Sequence, residues 1–189
     1  MSKTILKFHK IELRNYRPFI DQVVEFSQDD NKPITIVEGK NSAGKTSLVH
    51  AIHWCLYGKE KDIPEANKGK PRCNKKTMLE LKNGEGFDTE VKITLADEEG
   101  PKYIITRIIK AKRFSDDNSE KYDTDAAGNV PNGITFSTDQ SFNERRKDGS
   151  WETTDNDAIF TSRVERLIPK SISEFVILPK ITLLYNQSI

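Results

Sequence analysis

The chain has 189 residues, 35% hydrophobic and 31% charged, with 30 Lys and Arg against 29 Asp and Glu. This excludes a disordered chain, allows one domain with a sizeable core, and gives no argument from net charge for a nucleic-acid or membrane partner. Cys55 and Cys73 form no Cys-x-x-Cys pair, which excludes a zinc ribbon and a disulfide framework. A cytoplasmic location is expected, with no signal peptide at residues 1–8 and no apolar run able to span a bilayer.

In chain order, Ile5 to Leu13 alternates near period two and predicts a strand. A turn with Pro18 follows, then a second strand from Gln22 to Phe26. The β-branched run Ile34 to Glu38 predicts a buried strand. From Thr46 to Tyr57, Leu48, Val49, Ile52, Cys55 and Leu56 recur at helical spacing, and Gly58 is placed to end that helix. Residues 58–76 read as a basic loop. Thr89 to Leu95 and Lys102 to Ile109 read as a hairpin, and 115–133 as a polar, mobile excursion. Ile134 to Phe136 is expected to add a strand. Asp155 to Ile168 suits a helix capped by Thr154 or Asp155 and stopped before Pro169. Ser173 to Leu178 reads as a final strand.

Between the third strand and the first helix lies Gly39-Lys40-Asn41-Ser42-Ala43-Gly44-Lys45-Thr46. Two glycines at this spacing, followed by Lys and Thr, match a phosphate loop of the Walker A type. The glycines let the backbone curl so that successive N–H groups point at phosphate oxygens. Lys45 is placed for the β- and γ-phosphates of ATP, or of another nucleoside triphosphate. The Thr46 hydroxyl is placed for Mg²⁺, and Ser47 continues the first helical turn. Lys45 and Thr46 are therefore the candidate catalytic residues, Thr46 is the candidate metal ligand, and 39–47 is the candidate cofactor-binding set. The helix dipole favours an anion at the same place.

The segment Ile11-Glu12-Leu13-Arg14-Asn15-Tyr16-Arg17-Pro18-Phe19, the Asn41 of the loop and the Trp54-Cys55-Leu56-Tyr57-Gly58 ending resemble SMC-like ATPases. Those relatives include the ATPase subunit of the double-strand-break repair nuclease complex, RecF and the DndD-like ATPases of DNA-modification and phage-defence systems. The resemblance covers residues 4–58 and extends more weakly over 77–178. It implies an α/β fold: the N-terminal lobe of an ABC-type P-loop head over 1–178, a mixed sheet with the Walker A helix packed on it, and an atypical tail over 179–189. It also implies ATP and Mg²⁺ as cofactors and places Arg17 near the nucleotide's phosphates.

The same resemblance implies ATP hydrolysis in DNA double-strand-break repair or DNA-based defence once a C-terminal lobe or second head completes the site. DNA and a nuclease subunit are the further partners implied. The alternative is a non-catalytic nucleotide-binding remnant or regulatory module. Neither apolar run that would suit a Walker B strand ends in an acid: Ile104-Ile105-Thr106 leads into Arg107, and Val176-Ile177-Leu178 into Pro179. The run 168–178 resembles the approach to the family's Q-loop but has no acid or amide where one is expected, and Gln140 is the alternative candidate for that glutamine. The tail suggests an interrupted or truncated reading frame. His50, His53, Trp54 and Cys55 are expected to pack, not to bind metal or react. Lys59, Lys61, Lys68, Lys70, Arg72, Lys75 and Lys76 offer either a track for a DNA backbone or a solvated loop.

Overall fold

The alternation of residues 7–16 makes one long strand, β1 (Lys7–Tyr16), whose Phe8, Ile11, Leu13 and Tyr16 are all buried. In the computed structural model, which describes residues 6–32, 34–40, 43–60, 69–172 and 181–185, β1 turns at once into β2 (Phe19–Glu25). Tyr16 pairs with Phe19, so only Arg17 and Pro18 form the turn. Arg17 has φ 48°, the positive angle that fits a two-residue hairpin to the twist of its strands.

Most of the remaining strands extend the same sheet. β4 (Gly86–Asp97) and β5 (Gly100–Arg113) form the expected hairpin, longer at both ends than the alternation suggested. β8 (Ile134–Arg145) has twelve residues where three were expected, and β9 (Trp151–Thr154) closes the edge. The six strands run β2-β1-β4-β5-β8-β9, and every pairing is antiparallel. One face carries Val91, Ile93, Leu95, Ile105, Ile109 and Phe142 into the core. The opposite face carries ion pairs such as Lys10 with Glu12 and Lys110 with Asp139.

Two expectations are corrected here. The sheet is not one mixed sheet: the parallel pairing belongs to a separate pair, β3 (Thr35–Gly39) with β10 (Ile181–Tyr185). Nor is β3 a buried strand, since Ile36 is 57% exposed and the preceding Ile34 is 55% exposed. Its β-branched composition is that of an interior strand, but among the described residues β10 alone pairs with it.

Residues 115–133 hold a hairpin of their own, β6 (Glu120–Asp123) and β7 (Gly128–Pro131). A short helix, α2 (Lys75–Glu80), begins at the end of the basic loop, with Asn74 accepting from the Thr77 amide at its start. The expected strand at 173–178 lies outside the described residues.

The helix after the glycine loop, α1 (Lys45–Tyr57), packs on β1, β4 and β5 and touches α3 (Asp157–Leu167). It is buried on more than one side, because Leu48, His50, Ala51, Ile52, His53, Trp54, Cys55 and Leu56 are all inside. Gly58 ends it in the left-handed region at φ 70°, its amide bonding to the Trp54 carbonyl. The cap of α3 is Asn156, not Thr154 or Asp155: its Oδ1 accepts from the amides of Ala158 and Ile159 at 3.1 Å, while Thr154 ends β9. The Tyr57 hydroxyl donates to the Ile168 carbonyl at 2.9 Å, tying the ends of the two helices together.

Candidate nucleotide site

The glycine loop rests on the β1–β2 turn. Gly44 has φ 97°, and a Cβ there would lie 2.8 Å from both the Phe19 ring and the Pro18 ring. Glycine is therefore required twice over, by the backbone angle and by the close approach. A Cβ on Gly39 would sit 3.3 Å from that of Ala43, and the Ala43 amide donates to the Lys40 carbonyl at 3.1 Å. This is a tight curl of backbone feeding straight into α1. Asn41 and Ser42 lie outside the described residues.

Gly44 occupies the N-cap of α1, where no side chain caps the helix. The first helical bond runs from the Leu48 amide to the Gly44 carbonyl at 3.0 Å. The amides of Lys45, Thr46 and Ser47 belong to the first turn, whose N–H groups have no acceptor within the helix and carry its positive dipole end. Lys45 is 6% exposed, and its ammonium donates to the carbonyls of Gly39 at 2.5 Å and Lys40 at 3.0 Å. The lysine is folded over the loop that would hold phosphate.

A cleft of about 770 Å³ opens beside the loop. Arg17, Lys45, Thr46 and Ser47 line it at the loop end, and Met78 and Leu79 of α2 line another part of it. The β6–β7 hairpin contributes Glu120, Asn129 and Pro131. The hairpin is fixed there by backbone contact: the Asn129 amide donates to Gly69 at 2.8 Å and the Arg72 amide to Ala126 at 2.9 Å. A loop narrowed around two glycines, a buried ammonium, a helix N-terminus and a Thr hydroxyl fit a nucleoside triphosphate with Mg²⁺.

Arg17 reaches the cleft wall, but its guanidinium is engaged. Nη2 lies 2.5 Å from Glu60 Oε2, and Nη1 is 3.5 Å from His50 Nδ1. Glu60 also accepts the Tyr16 hydroxyl at 2.6 Å and lies 3.5 Å from Arg72 Nε. Burial, with the Glu60 charge beside it, pushes the Tyr16 phenol well above its ordinary value. Nothing in the sequence singled out Glu60, one of three acids, with Asp62 and Glu65, in the basic stretch 59–76. Its nearness to the Walker helix end was the one available signal.

Two other expectations change. Arg72 is 8% exposed, and its guanidinium sits 5.4 Å over the Trp54 ring, so it is not a surface contact for a DNA backbone. Lys61 and Lys68 of the same run lie outside the described residues. Gln140 stands on β8 and donates to Asp157 Oδ1 at 2.7 Å, at the start of α3 and not on the cleft. Trp54 stacks on Tyr16 at 5.7 Å, which is packing as expected. Cys55 is fully buried, and burial pushes its thiol up to about 12.

The sequence pattern of the AAA domain family matches residues 10–180. Among individual proteins, the SbcC subunit of the nuclease SbcCD from Staphylococcus aureus, in strains JH9, Newman and JH1, is 35% identical over 49 residues. That stretch is 26% of this chain, and the chain covers only 5% of the length of those relatives.

Proposed function

The chain belongs to the AAA domain family, and on that footing we propose that it binds ATP with Mg²⁺ through residues 39–47. The observation that carries this reading is the Gly44–Lys45 junction: a glycine wedged against Phe19 and Pro18, followed by a buried lysine at an uncapped helix N-terminus beside the cleft. The loop amides, Asn41 and Ser42 among them, would cradle the β-phosphate. Lys45 would neutralise phosphate charge, the Thr46 hydroxyl would hold Mg²⁺ with Ser47 beside it, and Arg17 would reach the phosphates from the turn. Bound Mg²⁺ supplies Lewis-acid polarisation of the terminal phosphate; the side chains position it and offset its charge.

The complete activity we propose is ATP hydrolysis by an SMC-like, ABC-type head, of which this chain supplies the N-terminal lobe, 1–178. A C-terminal lobe or second head would bring the remaining catalytic groups. The exposed Ile34 and Ile36 beside the loop support an apolar neighbour there. The likeness to part of a nuclease complex supports a place beside a nuclease in DNA repair.

Titration calorimetry with Mg²⁺ and ATP tests the reading. Lys45→Ala should weaken binding about 10- to 100-fold, as expected for loss of charge-assisted hydrogen bonds. Equal binding by both proteins would overturn it. Hydrolysis that appears only after a C-terminal half is added supports the divided head, whereas binding without turnover in that mixture supports a regulatory nucleotide-binding module.

A further inference from the structure

One buried carboxylate serves two guanidiniums beside the cleft. The Glu60 side chain is 1% exposed, and those of Arg17 and Arg72 are 7% and 10% exposed. Among the described residues this trio carries two positive charges and one negative, where solvent screens poorly. The Nε atoms of both arginines have no hydrogen-bond partner among the described residues.

The two cations are not equivalent. Arg72 is pinned: Nη1 donates to the Asp125 carbonyl at 3.3 Å, its amide donates to Ala126, and its guanidinium lies over Trp54. Arg17 lines the cleft with Lys45 and Thr46. Stripping a buried carboxylate of its counter-ion is strongly unfavourable. Glu60 avoids that fate when Arg17 turns away, because Arg72 and the Tyr16 hydroxyl remain beside it.

We propose that Glu60 is a shared counter-ion that holds Arg17 in reserve, so that a polyphosphate in the cleft takes over the Arg17 guanidinium while Arg72 stays to neutralise Glu60. This rests on the reading that the loop binds a nucleoside triphosphate. Glu60 and Arg72 are positioning residues, since they set how readily Arg17 is released. The effect falls on the preference for triphosphate over diphosphate. Loop amides and Lys45 serve either nucleotide, whereas one further cation matters most to the more highly charged one.

The test is the ratio of Mg²⁺-ATP to Mg²⁺-ADP affinity, measured by calorimetry on the chain and its variants. Glu60→Gln frees Arg17 and should raise the ratio about three- to tenfold. Arg72→Gln leaves Arg17 as the last cation on Glu60 and should lower it by about the same factor. Arg17→Gln should lower the ratio and abolish the effect of either change made with it. Opposite signs for E60Q and R72Q are what a purely structural trio does not give: there, both variants weaken ATP and ADP alike, and that result overturns the proposal. If E60Q does not fold, Glu60→Asp keeps the charge, draws the carboxylate back, and should raise the ratio by less; an unchanged or lowered ratio overturns it. Lys45→Ala keeps the two readings apart. Undiminished ATP binding by K45A sinks the phosphate-loop reading itself, whereas weakened binding with no opposed shifts sinks this inference alone.

Discussion

Arg107 Nε donates to the carbonyl of Cys55 at 3.2 Å, so a strand residue from the middle of the sheet closes the C-terminal end of α1. The guanidinium also stacks 5.0 Å from the Phe160 ring of α3 and lies against Gly58. A cation at the negative end of a helix dipole, on an aromatic face and largely buried, joins sheet and both helices at one point. Arg107→Ala should lower stability by about 2 kcal/mol. Urea unfolding checks this, and ATP binding at the other end of α1 should survive.

Gly128 tests the second wall of the cleft. A Cβ there would lie 2.4 Å from the Pro71 backbone nitrogen and 2.7 Å from the Lys70 carbonyl carbon. Backbone cannot move aside as a side-chain tip can. Gly128→Ala should push the β6–β7 hairpin off segment 69–73, weakening ATP binding while the six-stranded sheet persists. Hydrogen exchange should find lost protection at Asn129 and Arg72, whose amides make the joining bonds.

Stability should fall in mild alkali. Burial pushes the Cys55 thiol up to about 12 and that of Cys73 up to about 11. Unfolded, both titrate at about 8.5. The folded chain thus keeps protons that the unfolded chain gives up. The thiol contribution is complete below about pH 8.5 and is lost as pH rises toward the folded values. Each thiol costs about 1.4 kcal/mol per pH unit inside that window. Urea midpoints from pH 8 to 10 should therefore decline, and Cys55→Ala should make the decline shallower.

Asn156 tests the cap of α3. Its side chain accepts two amides at the helix start. Asn156→Ala should cost about 1 kcal/mol, read by thermal unfolding, and Thr154→Ala should cost far less.

The phosphate-loop helix was legible because its signals are local: a glycine before, a glycine after, and apolar residues at helical spacing between. The β4–β5 hairpin was legible for the same reason, with β-branched, apolar runs on both sides of Gly100. The β6–β7 hairpin was not, since its strands have four residues each and Tyr122 is 63% exposed, leaving no apolar rhythm to read. Arg72 looked like one of many surface cations; only folding shows that Trp54 and Glu60 await it. The exposure of β3 was equally hidden, because composition records what a strand can bury and not what lies beside it.

The pairing of β3 with β10 has a kinetic side. β1 meets β2, and β4 meets β5, across short turns, whereas β4 is laid beside β1 across the glycine loop and α1. Thr35 instead pairs with Ile181, across nearly the whole chain. Closing so long a loop carries a larger entropy cost than any other strand pairing among the described residues, and pairings of high sequence separation slow folding. The strand that launches the phosphate loop thus draws its pairing from the far end of the described chain, while the six-stranded sheet is complete without it.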